Sequence, residues 1–285
     1  MKFIKRLVEA GLNTIEIGSF VSPKWVPQMA NTAQVMAALS DAKLSSSPIR
    51  FPALVPNLKG LELALQSPGK PLLNEVSVFT AASESFTKKN INMSVEESLG
   101  KIDQVIKEAQ KHHIQVRGYV STIVGCPYEG SVDPAKVLQV SQELLRLGCY
   151  EISLGDTIGV GHPGSISALL DLLTKHIEPS KLAVHFHDTF GQSLANIMVA
   201  LNHDIRVIDA AAAGLGGCPY APGASGNVAT EDVLYMLHGL GYETGVDFEL
   251  TCKAGDFVTK QLGRPNRSKA GTAWLAKQQQ QSECK

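Results

Sequence analysis

Two histidines one residue apart, His185 and His187, sit in the run Ala183-Val184-His185-Phe186-His187-Asp188. In an extended strand residues i and i+2 point to the same side, so both imidazoles can reach one cation. The same spacing fits two core histidines with satisfied hydrogen bonds. Further on, residues 213–227 contain five glycines, two prolines and the thiol of Cys218. That composition excludes a helix or a central strand and leaves an irregular turn that a ligand can approach closely. Asn227 closes the turn and offers an amide oxygen. Two imidazoles plus oxygen donors, with no cysteine beside them, favour Mg²⁺ or Mn²⁺ over structural zinc, and catalytic zinc stays open.

These side chains need a scaffold that gathers strand ends. Short β-rich runs at 14–17, 50–55, 75–81, 115–122, 150–154, 182–187 and 206–211 alternate with helical patterns. The helical patterns cover 28–39, 58–65, 94–112, 134–147, 163–176, 192–201 and 230–240, after an amphipathic N-terminal helix that Gly11 stops. Such alternation predicts parallel βαβ units, either a closed barrel or a doubly wound sheet. The faces of the strands favour the barrel. Ile15 and Ile17 flank Glu16; Val116 and Val120 alternate with Arg117 and Tyr119; Ile152 and Leu154 alternate with Glu151 and Ser153; Val184 and Phe186 alternate with the histidines. One face is aliphatic and the other carries charge, whereas a doubly wound sheet would be apolar on both. No Pro-, Gly- or Ser-rich linker divides the chain. Residues 1–245 read as the α/β barrel domain and 246–285 as a C-terminal helical extension.

Composition narrows the class. With 285 residues, 44% hydrophobic and 19% charged, and a net charge of −1, the chain is an ordinary globular protein with dispersed basic residues. Nucleic acid and membrane are not expected partners. No apolar run approaches the roughly 18 residues of a membrane span. Five widely spaced cysteines (126, 149, 218, 252 and 284) argue for free thiols in a reducing compartment.

The blocks Gly214-Leu215-Gly216-Gly217-Cys218-Pro219-Tyr220 and His185-Phe186-His187-Asp188-Thr189 resemble the 3-hydroxy-3-methylglutaryl-CoA (HMG-CoA) lyase family. So do Ser19-Phe20-Val21-Ser22-Pro23-Lys24-Trp25-Val26-Pro27-Gln28-Met29, Phe86-Thr87-Lys88-Lys89-Asn90-Ile91-Asn92, Gly125-Cys126-Pro127-Tyr128 and Glu151-Ile152-Ser153-Leu154-Gly155-Asp156-Thr157-Ile158-Gly159. Ala211 departs mildly, since the signature usually begins there with Ser. The resemblance implies a (β/α)₈ TIM barrel and a divalent-cation-dependent carbon–carbon lyase acting on a CoA thioester. It implies metal ligands at His185, His187 and Asn227, proton transfer by Cys218, a candidate general base at Asp156 and an active-site or orienting carboxylate at Glu16. It also implies contacts from Lys89 and Asn90, in a strand-following loop, to the CoA portion. Arg117 is expected to neutralise barrel carboxylates such as Glu16 or Glu151, and Cys126 to be structural.

Family members begin with a strand bearing an Arg-Asp pair, and this chain starts at the helix after it. The expected barrel therefore lacks its first strand, and little lyase activity is expected of the chain as written, in contrast to a longer parent. Three rivals stand: a condensing enzyme of the same barrel group joining acetyl-CoA to a 2-oxo acid, a non-catalytic fragment, and a Schiff-base aldolase, the last disfavoured by the absence of lysines within the strands. A homodimer through the helical extension is possible. The compartment expected is the cytoplasm for a bacterial source and the mitochondrial matrix for a eukaryotic one, with no targeting segment in the chain.

Overall fold

Valine, isoleucine and phenylalanine at every second position make strands that must bury one face, and capped amphipathic helices supply the cover. The computed structural model describes residues 1–24, 26–41, 49–68, 72–217 and 226–283. In chain order they form α1 (Lys2–Glu9), α2 (Thr32–Asp41), β1 (Ala53–Leu54), α3 (Leu58–Gln66), β2 (Glu75–Ala81), α4 (Glu84–Ile91), α5 (Val95–Lys111), β3 (Gln115–Ser121), β4 (Gly125–Cys126) and β5 (Gly130–Ser131). There follow α6 (Pro134–Leu147), β6 (Glu151–Asp156), α7 (Pro163–Leu173), β7 (Leu182–Phe186), α8 (Ser193–Asn202), β8 (Val207–Asp209), α9 (Thr230–Gly239), α10 (Phe248–Leu262) and α11 (Lys269–Glu283).

The strands make one parallel, curled sheet in the order β1-β2-β3-β6-β7-β8, with β4 and β5 as a small antiparallel hairpin above β3. Beyond β1 the chain at 14–19 runs extended, tied by bridges Thr14↔Arg50 and Ser19↔Leu54. The strand expected at 14–17 is thus present as extended backbone rather than a full ladder. Among the described residues no strand joins 14–19 to β8, so the barrel is open along one side. On the outer face Val116, Val120, Ile152, Leu154, Val184 and Phe186 are buried against the helical layer in one continuous core. The helices start where capping chemistry lets them. Ser94 and Glu97 form a reciprocal capping box on α5, Asp133 caps α6 ahead of Pro134, and Gly148 ends α6 in the left-handed region.

Two segments depart from the expected layout. Lys89 and Asn90 lie on the last turn of α4, not in a loop, because Ser83 accepts from the Phe86 backbone N–H and starts a helix. The helix expected at 28–39 is split: a 3-10 turn covers Pro27–Met29, and α2 begins at Thr32, whose hydroxyl is drawn to the carbonyls of Ser19 and Met29. Below the sheet a second, smaller core joins Leu7 of α1, Ile15, Leu39, Phe51, Ala212 and Ala254 of α10. The α1–α10 contact is reinforced by Arg6 over the Phe257 ring at 4.5 Å and by the Asp247 N–H donating to Ala10 O at 2.7 Å. No helix among the described residues is long and apolar enough to cross a membrane.

Candidate active site

The polar faces of the strands meet inside the curl. Arg117 on β3 donates to Glu151 of β6 at 2.6 Å and to Asp209 of β8 at 2.9 Å, and Ser153 donates to the same Asp209 oxygen at 2.7 Å. Arg117 therefore neutralises Glu151 as expected, but its second partner is Asp209 rather than Glu16. Glu16 instead accepts from Tyr119 OH at 2.8 Å and from Ser77 Oγ at 3.0 Å. The residue is exposed along the open side, yet its carboxyl end points into the crowded interior. Desolvation there pushes its pKa up against the pull of those two hydrogen bonds.

At the upper ends of the strands, β7 presents the two imidazoles on one side with ring centroids 5.5 Å apart. His185 lies between oxygens: its Nε2 is 2.9 Å from Asn227 Oδ1 and its Nδ1 is 3.4 Å from Asp209 Oδ2. Burial alone would lower its pKa, but the Asp209 contact outweighs that and raises it. His187 is 7% exposed and its Nδ1 has no hydrogen-bond partner. Burial and the neighbouring His185 push its pKa down to about 4, so its ring is neutral and its lone pair available at physiological pH. Asn227 is held in place from both sides. Its Nδ2 donates to Leu215 O at 2.9 Å, and its backbone bridges His187.

A Cβ at Gly216 would lie 2.7 Å from the Asn227 side chain, and Gly216 adopts φ +91°, so glycine there admits the amide. The structure thus brings His185, His187 and Asn227 together around an unpartnered buried nitrogen, a donor set suited to a small divalent cation. No three His, Cys, Asp or Glu side chains converge in this way among the described residues, because the third donor is an amide.

Asp156 ends β6 but shares the outward parity of Ile152 and Leu154. It is fully buried, and its Oδ2 accepts from the Gly161 N–H at 2.8 Å while Oδ1 has no partner. Burial raises its pKa, and the N–H groups of Gly161, Val160 and Gly159 oppose this. Here the carboxylate anchors the turn after β6 and is not hydrogen-bonded to the imidazoles. Lys89 sits 6.0 Å over the ring of Tyr128 on the β4–β5 hairpin. Cys126 is buried and accepts from Ser83 Oγ at 3.0 Å, in keeping with a structural role. Cys218 lies outside the described residues.

Asp209 escaped the sequence reading. The signal available was a lone acid inside the apolar run 206–211, which must find a buried partner. A groove of about 870 Å³ between α5 and α6, lined by Glu96, Asp103, Lys136, Glu143 and Arg146, belongs to the helical layer rather than to the strand ends.

Comparison with known proteins adds an independent line. A family model described as HMGL-like matches residues 1–258. The chain is 54% identical over 273 residues to the 3-hydroxy-3-methylglutaryl-CoA lyase, cytoplasmic, of Rattus norvegicus, covering 96% of this chain and 77% of that protein. Other relatives carry mitochondrial names. The crystal structure of hydroxymethylglutaryl-CoA lyase from Pseudomonas aeruginosa superposes with a TM-score of 0.90 at 50% identity, covering 97% of this chain and 89% of that one. An HMG-CoA lyase from Acinetobacter baumannii, solved in complex with coenzyme A and 3-methylmalate, gives a TM-score of 0.87 at 32% identity, covering 95% and 86%. A barrel with imidazoles and an amide at its strand ends, matched over nearly all of its length by lyases, leaves one conclusion: the chain belongs to the HMGL-like family, among the HMG-CoA lyases.

Proposed function

We propose that the protein cleaves 3-hydroxy-3-methylglutaryl-CoA to acetyl-CoA and acetoacetate. The observation that supports this best is the meeting of His185, His187 and Asn227 at the strand ends, with the Asp209 carboxylate beside His185, in a chain half identical to named lyases. Those three side chains would hold a Mg²⁺ or Mn²⁺ ion, which when bound lowers the pKa of a substrate hydroxyl and orients it. A carboxylate takes the proton of the tertiary hydroxyl, and that oxygen becomes the ketone of acetoacetate. The electrons of the breaking C–C bond pass to the thioester as an enolate. Its carbon is then protonated by the thiol of Cys218, and solvent returns the base's proton to the thiolate.

Of the two candidate bases, Glu16 faces the interior and Asp156 is committed to its turn, so we assign proton removal to Glu16 and loop placement to Asp156. Lys89 and Asn90, with Tyr128 beside them, are assigned to the CoA portion, and 1–245 and 246–285 to barrel and extension. A homodimer through α10 and α11, and a cytoplasmic or mitochondrial-matrix setting according to source, complete the reading.

The test is to incubate the purified chain with the substrate and Mn²⁺ and follow both products. Equal release of acetoacetate and acetyl-CoA supports the proposal and overturns the expectation, read from the sequence, that the chain as written has little lyase activity. Condensation of acetyl-CoA with a 2-oxo acid by the same chain overturns it. Tight binding of Mn²⁺ and a CoA ester without turnover would make the chain a binding fragment of the lyase fold. Cys218→Ser should cut turnover by about 10²- to 10⁴-fold with Mn²⁺ affinity unchanged, and an undiminished rate would remove the thiol from the mechanism.

A further inference from the structure

We propose that Asp209 is the positioning residue of the His185 ring: it receives the Nδ1 proton and thereby turns the Nε2 lone pair toward Asn227 and the cation site. Asp209 is not a ligand, and it lies on β8, one strand away from the ring it orients. The geometry is specific. Its Oδ2 gathers Arg117 Nη1 at 2.9 Å, Ser153 Oγ at 2.7 Å and His185 Nδ1 at 3.4 Å. The carboxylate is thereby fixed from β3 and β6 before it meets the ring, and the strand register sets Asp209 beside His185.

On the other side of the imidazole, Asn227 Oδ1 lies 2.9 Å from Nε2. With an oxygen at each ring nitrogen, the neutral ring has two competing tautomers, and only the one protonated on Nδ1 offers an electron pair to a cation beside Asn227. An anion at Nδ1 selects that tautomer and makes the opposite nitrogen more basic. The arrangement also supplies negative charge to a site whose proposed donors, two imidazoles and an amide, carry none.

The rival reading is that Asp209 only neutralises Arg117. Two readouts on the whole 285-residue chain separate them. The first needs no metal: in alkaline buffer, with histidine nitrogens labelled and the His185 signals assigned against His185→Gln, the unsubstituted chain should carry its proton on Nδ1. In Asp209→Ala the proton should move to Nε2, where the Asn227 oxygen accepts it. Asp209→Asn, which keeps an acceptor but not the charge, should fall between.

The second readout rests on the cation-site reading above. Mn²⁺ titration followed by the signal of the free ion should weaken by about 10- to 100-fold in Asp209→Ala, with a smaller loss in Asp209→Asn. A proton on Nε2 in the unsubstituted chain overturns the proposal. So do variants whose melting temperature drops while tautomer and Mn²⁺ affinity stay unchanged. If the unsubstituted chain binds no Mn²⁺, the cation-site reading fails, and the tautomer experiment still decides the role of Asp209.

Discussion

Glu231, at the start of α9, is a carboxylate with no exposed surface, and both its oxygens accept from the single N–H of Ala213, at 2.9 and 2.8 Å. Burial pushes its pKa up to about 7 from an ordinary 4.5. The folded state therefore keeps a proton that the unfolded chain has released between those values. The stabilisation is complete below pH 4.5 and is lost as pH rises toward 7, by an amount on the order of 3 kcal/mol. Urea midpoints measured across this window should fall with pH more steeply in the parent than in Glu231→Gln; parallel curves would show that the carboxyl ionises freely. The two candidate bases invite a similar comparison. Glu16→Gln should lower turnover about 10²- to 10⁴-fold at constant melting temperature, whereas Asp156→Asn should lose stability along with activity. Lost activity without lost stability at Asp156 would reverse the assignment. The imidazole pair and Asn227 were legible because their types and spacing are local. The true state of Asp156 was not, since its partners are backbone N–H groups of a turn whose path no residue type announces.

At the level of elements, the segment carrying Asn227 depends on glycines that admit backbone to backbone. Gly226 has φ +86°, and a Cβ there would fall 2.8 Å from the Gly217 Cα and closer still to Gly216 O. Gly226→Ala should cost about 1–3 kcal/mol and displace Asn227, so that stability and Mn²⁺ affinity fall together. The contrast is Gly100, mid-helix in α5 with nothing near its missing Cβ. Gly100→Ala should raise stability by about 1 kcal/mol and leave the site untouched. Thermal melts of the two variants check both. The order of strands and helices was readable because the strand runs alternate and many of the helices, α3, α5, α6 and α10 among them, bring their own caps. The start of α4 was misjudged because one serine hydroxyl, Ser83, converts an apparent loop into a helix carrying Lys89 and Asn90.

Across the whole molecule, Arg117 is the charge that keeps three strands in register at the centre of the open barrel. Its side chain is 8% exposed, and it is shared between Glu151 and Asp209. Arg117→Met would leave two buried carboxylates facing each other, so a loss of about 3–5 kcal/mol is expected in equilibrium unfolding. A barrel was legible from the inward charges on successive strands. Which charges pair was not, because Arg117 and Asp209 are 92 positions apart and only the curl of the sheet brings them together. The contact of α1 with α10 has a temporal consequence. Helix α1 has its packing partner far downstream in the chain, so its apolar side must wait while everything between the two is made. Until α10 emerges, that helix is a natural client for a chaperone.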